Sequence, residues 1–209
     1  MTNSSPDTRL AETIRSYDAK ASEYALTTPV LPSDGLKAWL DASVSSLPKI
    51  ARILELGSGT GRDALYLESL GYEVVCSDIT PQFIQILKTQ NHKHVFTIDA
   101  LKDGYPLAQD LIFADALVVH FEKEQMLEFL KRTYKTLNHK GRLAITTKFA
   151  QEYKVEAQNR LGSIRWFVSW PSHELIDLAT SVGYKVVHET TSPGVNSKSE
   201  WLNLILEKI

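Results

Sequence analysis

Apolar residues change their spacing along the chain, and those changes divide it into elements. Leu10, Ile14, Tyr17, Ala21 and Tyr24 recur at helical spacing, so an amphipathic helix is predicted from residue 7 onward. Residues 1–6, ahead of it, are expected to be without order. Pro29 and Pro32 mark a loop. A second helix is predicted over 33–47, with Leu36, Leu40, Val44 and Leu47 inward and Pro48 ending it. Residues 53–56 then form a short apolar run that reads as a buried strand, and Ala64, Leu65, Leu67 and Leu70 resume a helical pattern.

From there the two periods alternate. Strands are predicted at 73–77, 94–98, 110–119 and 141–149. Between them lie a helix opened by Thr80 and Pro81, with Phe83, Ile84 and Leu87 inward, and another over 123–137. Such alternation predicts an α/β fold with a doubly wound, mostly parallel sheet and helices on both faces. The rhythm breaks over 150–170, a mixed and aromatic stretch. A helix over 172–181 and strands over 184–190 and 201–207 follow, the strands joined by a turn at Ser192, Pro193 and Gly194. No helix separates those two strands, so they are expected to pair antiparallel. The expected sheet has seven strands, the last one reversed.

Between the first strand and its helix stand Glu55, Gly57, Ser58, Gly59, Thr60 and Gly61, the pattern E-x-G-x-G-x-G. A dinucleotide turn requires G-x-G-x-x-G, and counting from Gly57 its third glycine falls on Arg62. The pattern present resembles the first motif of class I methyltransferases that use S-adenosylmethionine (SAM). That resemblance extends along the chain. Tyr17, Asp18, Ala21 and Tyr24 are similar to the Y-D-x-x-A-x-x-Y entry of small-molecule members, where the helix folds over the SAM pocket as a lid; two tyrosines packed on a core have the same spacing. The family's arrangement implies one domain: a lid over 7–48, a SAM-binding core over 49–149, a substrate-side insertion over 150–170 and a C-terminal part over 171–209.

The resemblance also assigns roles. Glu55, Gly57, Ser58, Gly59 and Gly61 would wrap the methionine end of the cofactor. Asp78, followed by Ile79, would accept hydrogen bonds from the ribose hydroxyls through its two oxygens, although an Asp before Thr-Pro is also a turn former. Asp99 with Ala100 resembles the motif that accepts from the adenine amino group. The stretch 110–121 is similar to D-x-I-x-x-x-x-V-L-H-H, which places Ala114 and Asp115 at the sulfonium end and His120 on the substrate side; Phe121 stands where a second histidine is common. His120 is the catalytic candidate, as a base for a thiol or hydroxyl acceptor, and a packed histidine is its rival reading. Tyr17, Tyr24, Arg165, Trp166 and Trp170 are the substrate-side candidates, with Arg165 suited to a carboxylate and the aromatics equally suited to a core.

Composition narrows the function classes. A formal net charge of -2 does not suit a dedicated nucleic-acid binder. The basic cluster at 131–142 sits on a predicted helix end, where cations favour the dipole. No long uncharged apolar run predicts a membrane span, and the first residues do not resemble a signal peptide, so a cytoplasmic location is expected. A single cysteine, Cys76, excludes an internal disulfide, and no metal site is expected. The [DNS]-P-P-[YFW] tetrad of base-amino methylation is absent, as is a cysteine after the fourth strand. The expected activity is methyl transfer from SAM, leaving S-adenosylhomocysteine (SAH), to an N, O or S atom of a small molecule. A non-catalytic SAM or SAH binder and a nicotinamide dehydrogenase are the alternatives.

Overall fold

The structure is a computed structural model and describes residues 4–194 and 199–209. Residues 1–3 of the segment expected to lack order lie outside that set. The rest of that segment is a correction. Ser5 caps the first helix by accepting from the Thr8 N–H at 3.2 Å, and Pro6 fills the first turn.

In order the elements are α1 (Pro6–Thr27), α2 (Asp34–Val44), β1 (Ile53–Leu56), α3 (Arg62–Ser69) and β2 (Val74–Asp78). Then come α4 (Pro81–Thr89), β3 (His94–Thr97), β4 (Gln109–Ala114), α5 (Lys123–Thr136) and β5 (Leu137–Phe149). The chain closes with β6 (Lys154–Arg160), β7 (Ser163–Trp170), α6 (Ser172–Val182), β8 (Tyr184–Pro193) and β9 (Glu200–Lys208). β4 stops well short of residue 119: Ala116 turns to φ +53 and a single 3-10 turn follows over Val118–His120. β8 runs through the expected turn at 192–194, and the Gly194 N–H donates to the Ser199 carbonyl at 2.8 Å. Residues 195–198, between them, lie outside the described set.

The sheet runs β3-β2-β1-β4-β5, all parallel, and β9 then pairs antiparallel with β5. β8 pairs antiparallel with β9, so the reversed last strand lies between β5 and β8 as expected. Among the described residues the strand count is nine rather than seven. The extra pair is the stretch 150–170, which forms a hairpin of β6 and β7 instead of irregular chain. Leu161 and Gly162, both at positive φ, make its two-residue turn. β7 joins the end of β5 in parallel at Lys148↔Ser169 and Phe149↔Trp170.

Strand alternation divides the core between two faces. Leu54, Leu56, Ile112, Leu143 and Ile145 pack with Met126 and Phe129 of α5 and Leu175 of α6. Ile53, Val74, Cys76, Leu111 and Phe113 pack with Trp39 of α2, Leu67 of α3 and Leu87 of α4. The lid helix α1 contributes little to either: its buried residues are Thr13, Ser16 and Ala21, and Lys20 breaks its helical geometry at φ -123.

Trp170 belongs to this core and not to a pocket, which corrects its placement on the substrate side. It is 1% exposed, packs in the α5–α6 cluster and meets Tyr153 edge-on at 5.0 Å. Trp170→Ala is therefore expected to cost about 3–5 kcal/mol in urea unfolding. A loss below about 1 kcal/mol would return Trp170 to a surface role.

Candidate active site

The C-terminal ends of β1, β2, β4 and β5 meet on one edge of the sheet, where open α/β sheets hold ligands. Three glycines follow β1, all at positive φ: +75 at Gly57, +54 at Gly59 and +77 at Gly61. Their reasons differ. A Cβ on Gly57 would press on Leu117 at 3.1 Å, and one on Gly61 would strike Gln90 and His92 at 2.6 Å. At Gly59 it would meet nothing within 4 Å. Of the three, then, only Gly59 faces open space. The turn is tied to β2 by Ser58, whose N–H donates to the Ser77 carbonyl at 2.8 Å and whose hydroxyl accepts from the Ser77 N–H at 3.0 Å.

Asp78 closes the turn from the end of β2. Oδ2 accepts from the Gly59 N–H at 2.9 Å, and Oδ1 accepts from the Thr80 N–H at 2.8 Å, at the start of α4. The carboxylate is 6% exposed, and burial raises its pKa. The Thr80 hydroxyl and the Ile79 N–H also favour its charged form. Ile79, beside it, is half-buried.

Beneath the turn lies a chain of charges. Arg62 Nε meets Asp63 at 2.7 Å and its Nη2 meets Asp115 at 2.5 Å, while the Thr146 hydroxyl donates to the other oxygen of Asp115. Asp63 is raised to about 6, first by burial and then by the charge of Asp115. Glu55 is 2% exposed, and burial followed by the Asp63 charge lifts its carboxyl well above the usual range. Its Oε2 has no partner among the described residues. Glu55 and Ala114 thus lie inside the protein at strand ends, Ala114 fully buried. Asp99 stands apart on the rim. Its Oδ1 accepts from the Leu101 N–H at 2.9 Å, an Asx turn, and Oδ2 is 3.7 Å from Lys102. The carbonyl of Ala100 accepts from the Tyr105 hydroxyl.

Behind Gly61, Glu68, Cys76 and His92 gather ligand atoms within 4.8 Å of one another. Glu68 and Gln90 already engage both ring nitrogens of His92, at 3.1 and 3.2 Å.

Helix α1 roofs the site. Asp18 accepts from the Gln82 N–H at 3.1 Å, an anion on the N-terminus of α4. The Trp166 N–H donates to the Thr13 hydroxyl at 2.9 Å, and its indole N–H donates to Glu12 at 2.7 Å. Tyr17, Tyr24 and Phe83 form a cluster with ring centroids 5.5 to 5.9 Å apart. Burial raises both phenols, and the nearby charges of Asp78 on Tyr17 and Asp115 on Tyr24 add to it.

His120 lies under this roof and is 8% exposed. Its Nδ1 is 2.6 Å from the Trp166 carbonyl, which only accepts, so Nδ1 carries the proton and Nε2 accepts from the Tyr17 hydroxyl at 3.2 Å. Burial lowers its pKa to about 4, and the charges of Arg165 and Lys148 add to the shift. The ring is therefore neutral at pH 7. Alternation along β7 puts Arg165 and Phe167 on the His120 side and Trp166, Val168 and Trp170 on the other. Trp166 is corrected with Trp170: its ring lies outside, 5.4 Å from the Arg9 guanidinium. Phe167 is the aromatic of β7 that meets His120, at 5.0 Å. Lys148 and Arg62 had no assigned role in the sequence reading.

Residues 53–141 match the family model described as "Methyltransferase domain". The matched segment is similar to a methyltransferase domain. It holds the glycine turn, Asp78, Asp99, Asp115 and His120, and β5 to β9 complete the sheet around it. The whole fold is shared with solved methyltransferases. A Burkholderia thailandensis 1,6-didemethyltoxoflavin-N1-methyltransferase, solved with 1,6-didemethyltoxoflavin and SAH, matches with a TM-score of 0.78 at 14% identity, over 100% of this chain and 92% of that one. A DhpI–SAH complex matches with a TM-score of 0.72 at 17% identity, over 95% and 96%. A TehB-like SAM-dependent methyltransferase from Corynebacterium glutamicum matches with 0.65 at 19% identity, over 95% and 99%. A search of curated proteins finds no match. None of the described helices is long and apolar enough to cross a membrane.

The depressed imidazole gives a test. His120 binds its proton less readily folded than unfolded, so its contribution to stability is present above pH 6.5 and is lost as pH falls towards 4. His120→Gln should remove that loss, on the order of 3 kcal/mol between the two ends. Asp63 acts in the opposite sense over part of the same range, so the comparison is between variant and wild type. In an NMR titration the ring should change charge near pH 4. A midpoint at 6.5 would mean a solvated ring.

Proposed function

We propose that the protein transfers a methyl group from SAM to an N, O or S atom of a small-molecule acceptor. The observation that carries this reading is the open space over Gly59 bounded by the Asp78 carboxylate. The cradle fits the cofactor: bare backbone on one side, the Asp78 carboxylate at the neighbouring strand end, and Asp115 beyond β4. When bound, SAM supplies a methyl already activated on sulfonium.

The chain's own residues then have separate tasks. Gly57, Ser58, Gly59 and Gly61 shape the cradle, with Glu55 supporting it from inside. Asp78 holds the sugar hydroxyls, with Ile79 beside them, and Asp99 with Ala100 sits where the base would lie. Ala114 and Asp115 close the reactive end, and Arg62 fixes Asp115 in place. Tyr17 and Tyr24 keep water out from above, the condition under which orientation of a nucleophile is most effective. His120 presents a neutral lone pair through Tyr17. A pKa near 4 makes it a weak proton acceptor and favours acceptors that arrive already deprotonated.

Calorimetry with SAH tests the cradle. Wild type should bind it, Gly59→Val should weaken binding by roughly a hundredfold or more, and Asp78→Asn by about tenfold. Binding of NAD in place of SAH would overturn the reading. Binding of SAH without SAH release from SAM across broad metabolite pools would move the protein to the non-catalytic alternative.

A further inference from the structure

Two cations are buried on the acceptor side, and neither forms a salt bridge among the described residues. Arg165 is 3% exposed and Lys148 4% exposed. Nη2 of Arg165 and Nζ of Lys148 are sealed from solvent and have no hydrogen-bond partner among the described residues. Nearby acids are committed elsewhere: Glu156 to Lys154 and Gln158, Asp115 to Arg62 and Thr146. Arg165 Nε donates to the Ser16 hydroxyl at 3.3 Å, and each cation lies against an aromatic face. The Arg165 guanidinium carbon is 4.1 Å from the Tyr17 ring centroid, and Lys148 Nζ is 4.2 Å from that of Phe167. Contacts of that kind steady a cation and leave N–H groups free to donate.

A buried charge left unmatched costs several kcal/mol, and two of them in one site are a large penalty. Their placement accounts for it. His120 stands between them, 5.5 Å from the Tyr17 ring on the Arg165 side and 5.0 Å from the Phe167 ring on the Lys148 side. Lys148 also forms part of the wall of a cavity of ≈ 330 Å³, with Phe149, Gln151, Glu156, Ser169, Ser199 and Glu200. That volume is at the small end of ligand sites. β5 ends there, on the sheet edge that carries the glycine turn.

We infer that the methyl acceptor is a small molecule bearing an oxyanion, a carboxylate or a phosphate-type group, which pairs with Lys148 and Arg165 and brings its reactive atom to His120. The inference rests on the methyltransferase reading above. An oxyanion offers several lone pairs to two separated donors, which a neutral acceptor of the same size does not. It also offsets the two charges that hold the imidazole's affinity for protons down.

Benzoate, phenylphosphonate and uncharged benzamide, titrated into SAH-loaded protein while the His120 ring is followed by NMR, test this. Both anions should bind and benzamide should not, and the stronger of the two anions tells carboxylate from phosphate-type acceptors. Lys148→Met and Arg165→Met should each weaken the anions roughly tenfold or more, with Lys148→Arg retaining them. Equal binding of benzamide, or unchanged anion affinity in both Met variants, overturns the inference. So does a loss of SAH affinity confined to Arg165→Met, which assigns that cation to the cofactor's own carboxylate. If SAH does not bind wild type, the cofactor reading falls, and the same titration without SAH decides the cation pair by the same outcomes.

Discussion

One carboxylate joins three pieces of backbone at the heart of this molecule. Asp78 takes the N–H of Gly59 on one oxygen and the N–H of Thr80 on the other. The glycine turn after β1, the end of β2 and the start of α4 are thereby fixed relative to one another. Hydrogen bonds to an ionised acceptor are about twice as strong as neutral ones, and here they act where water is excluded. A turn of residues at positive φ has little intrinsic preference for one shape. The anchored acid selects it, and the clear space over Gly59 follows from that selection.

A second set of charges supports the first from below. Arg62 lies between Asp63 and Asp115, and Thr146 of β5 completes the coordination of Asp115. Two strands, β4 and β5, and a helix N-terminus thus share one ionic cluster under the turn. Removing Arg62 would leave two carboxylates close together in a dry site, and Asp63 already sits at about 6 with Arg62 present. Around His120 the charges that act on the ring are cationic, Arg165 and Lys148. The two halves of the site are therefore set at different potentials by the residues around them.

The parts of this arrangement that were legible in the chain are those with a local signature. Thr80-Pro81, the glycine series, Asp78 and the reversed pairing of β8 with β9 each follow from a short stretch and a rule of backbone geometry. The hairpin of β6 and β7 was not legible, because Leu161 stands where Asn, Asp or Gly usually opens such a turn and Lys154–Arg160 is polar and largely exposed. Missing that hairpin displaced the aromatics: a period-two strand sends Phe167 to the site and Trp170 to the core, which an irregular segment does not predict. Arg62 was visible only as a mismatch to a dinucleotide pattern. Lys148 gave no signal at all, since a lysine at the end of an apolar strand reads as solvated. Its burial depends on Phe167, a partner 19 positions away in sequence (167 minus 148) that only the hairpin brings near.

The roof helix rewards a closer look at what it hides. Its buried positions are Thr13, Ser16 and Ala21, two hydroxyls and a methyl, while Glu12, Thr13 and Asp18 reach out to fixed partners. Its apolar contact with the rest of the molecule is concentrated in Tyr17 and Tyr24, which meet Phe83 of α4. Directional bonds to β7 and α4 set where the helix sits along that contact. Its seat is thus fixed by orientation as well as by area, while other helices cover the two apolar faces of the sheet.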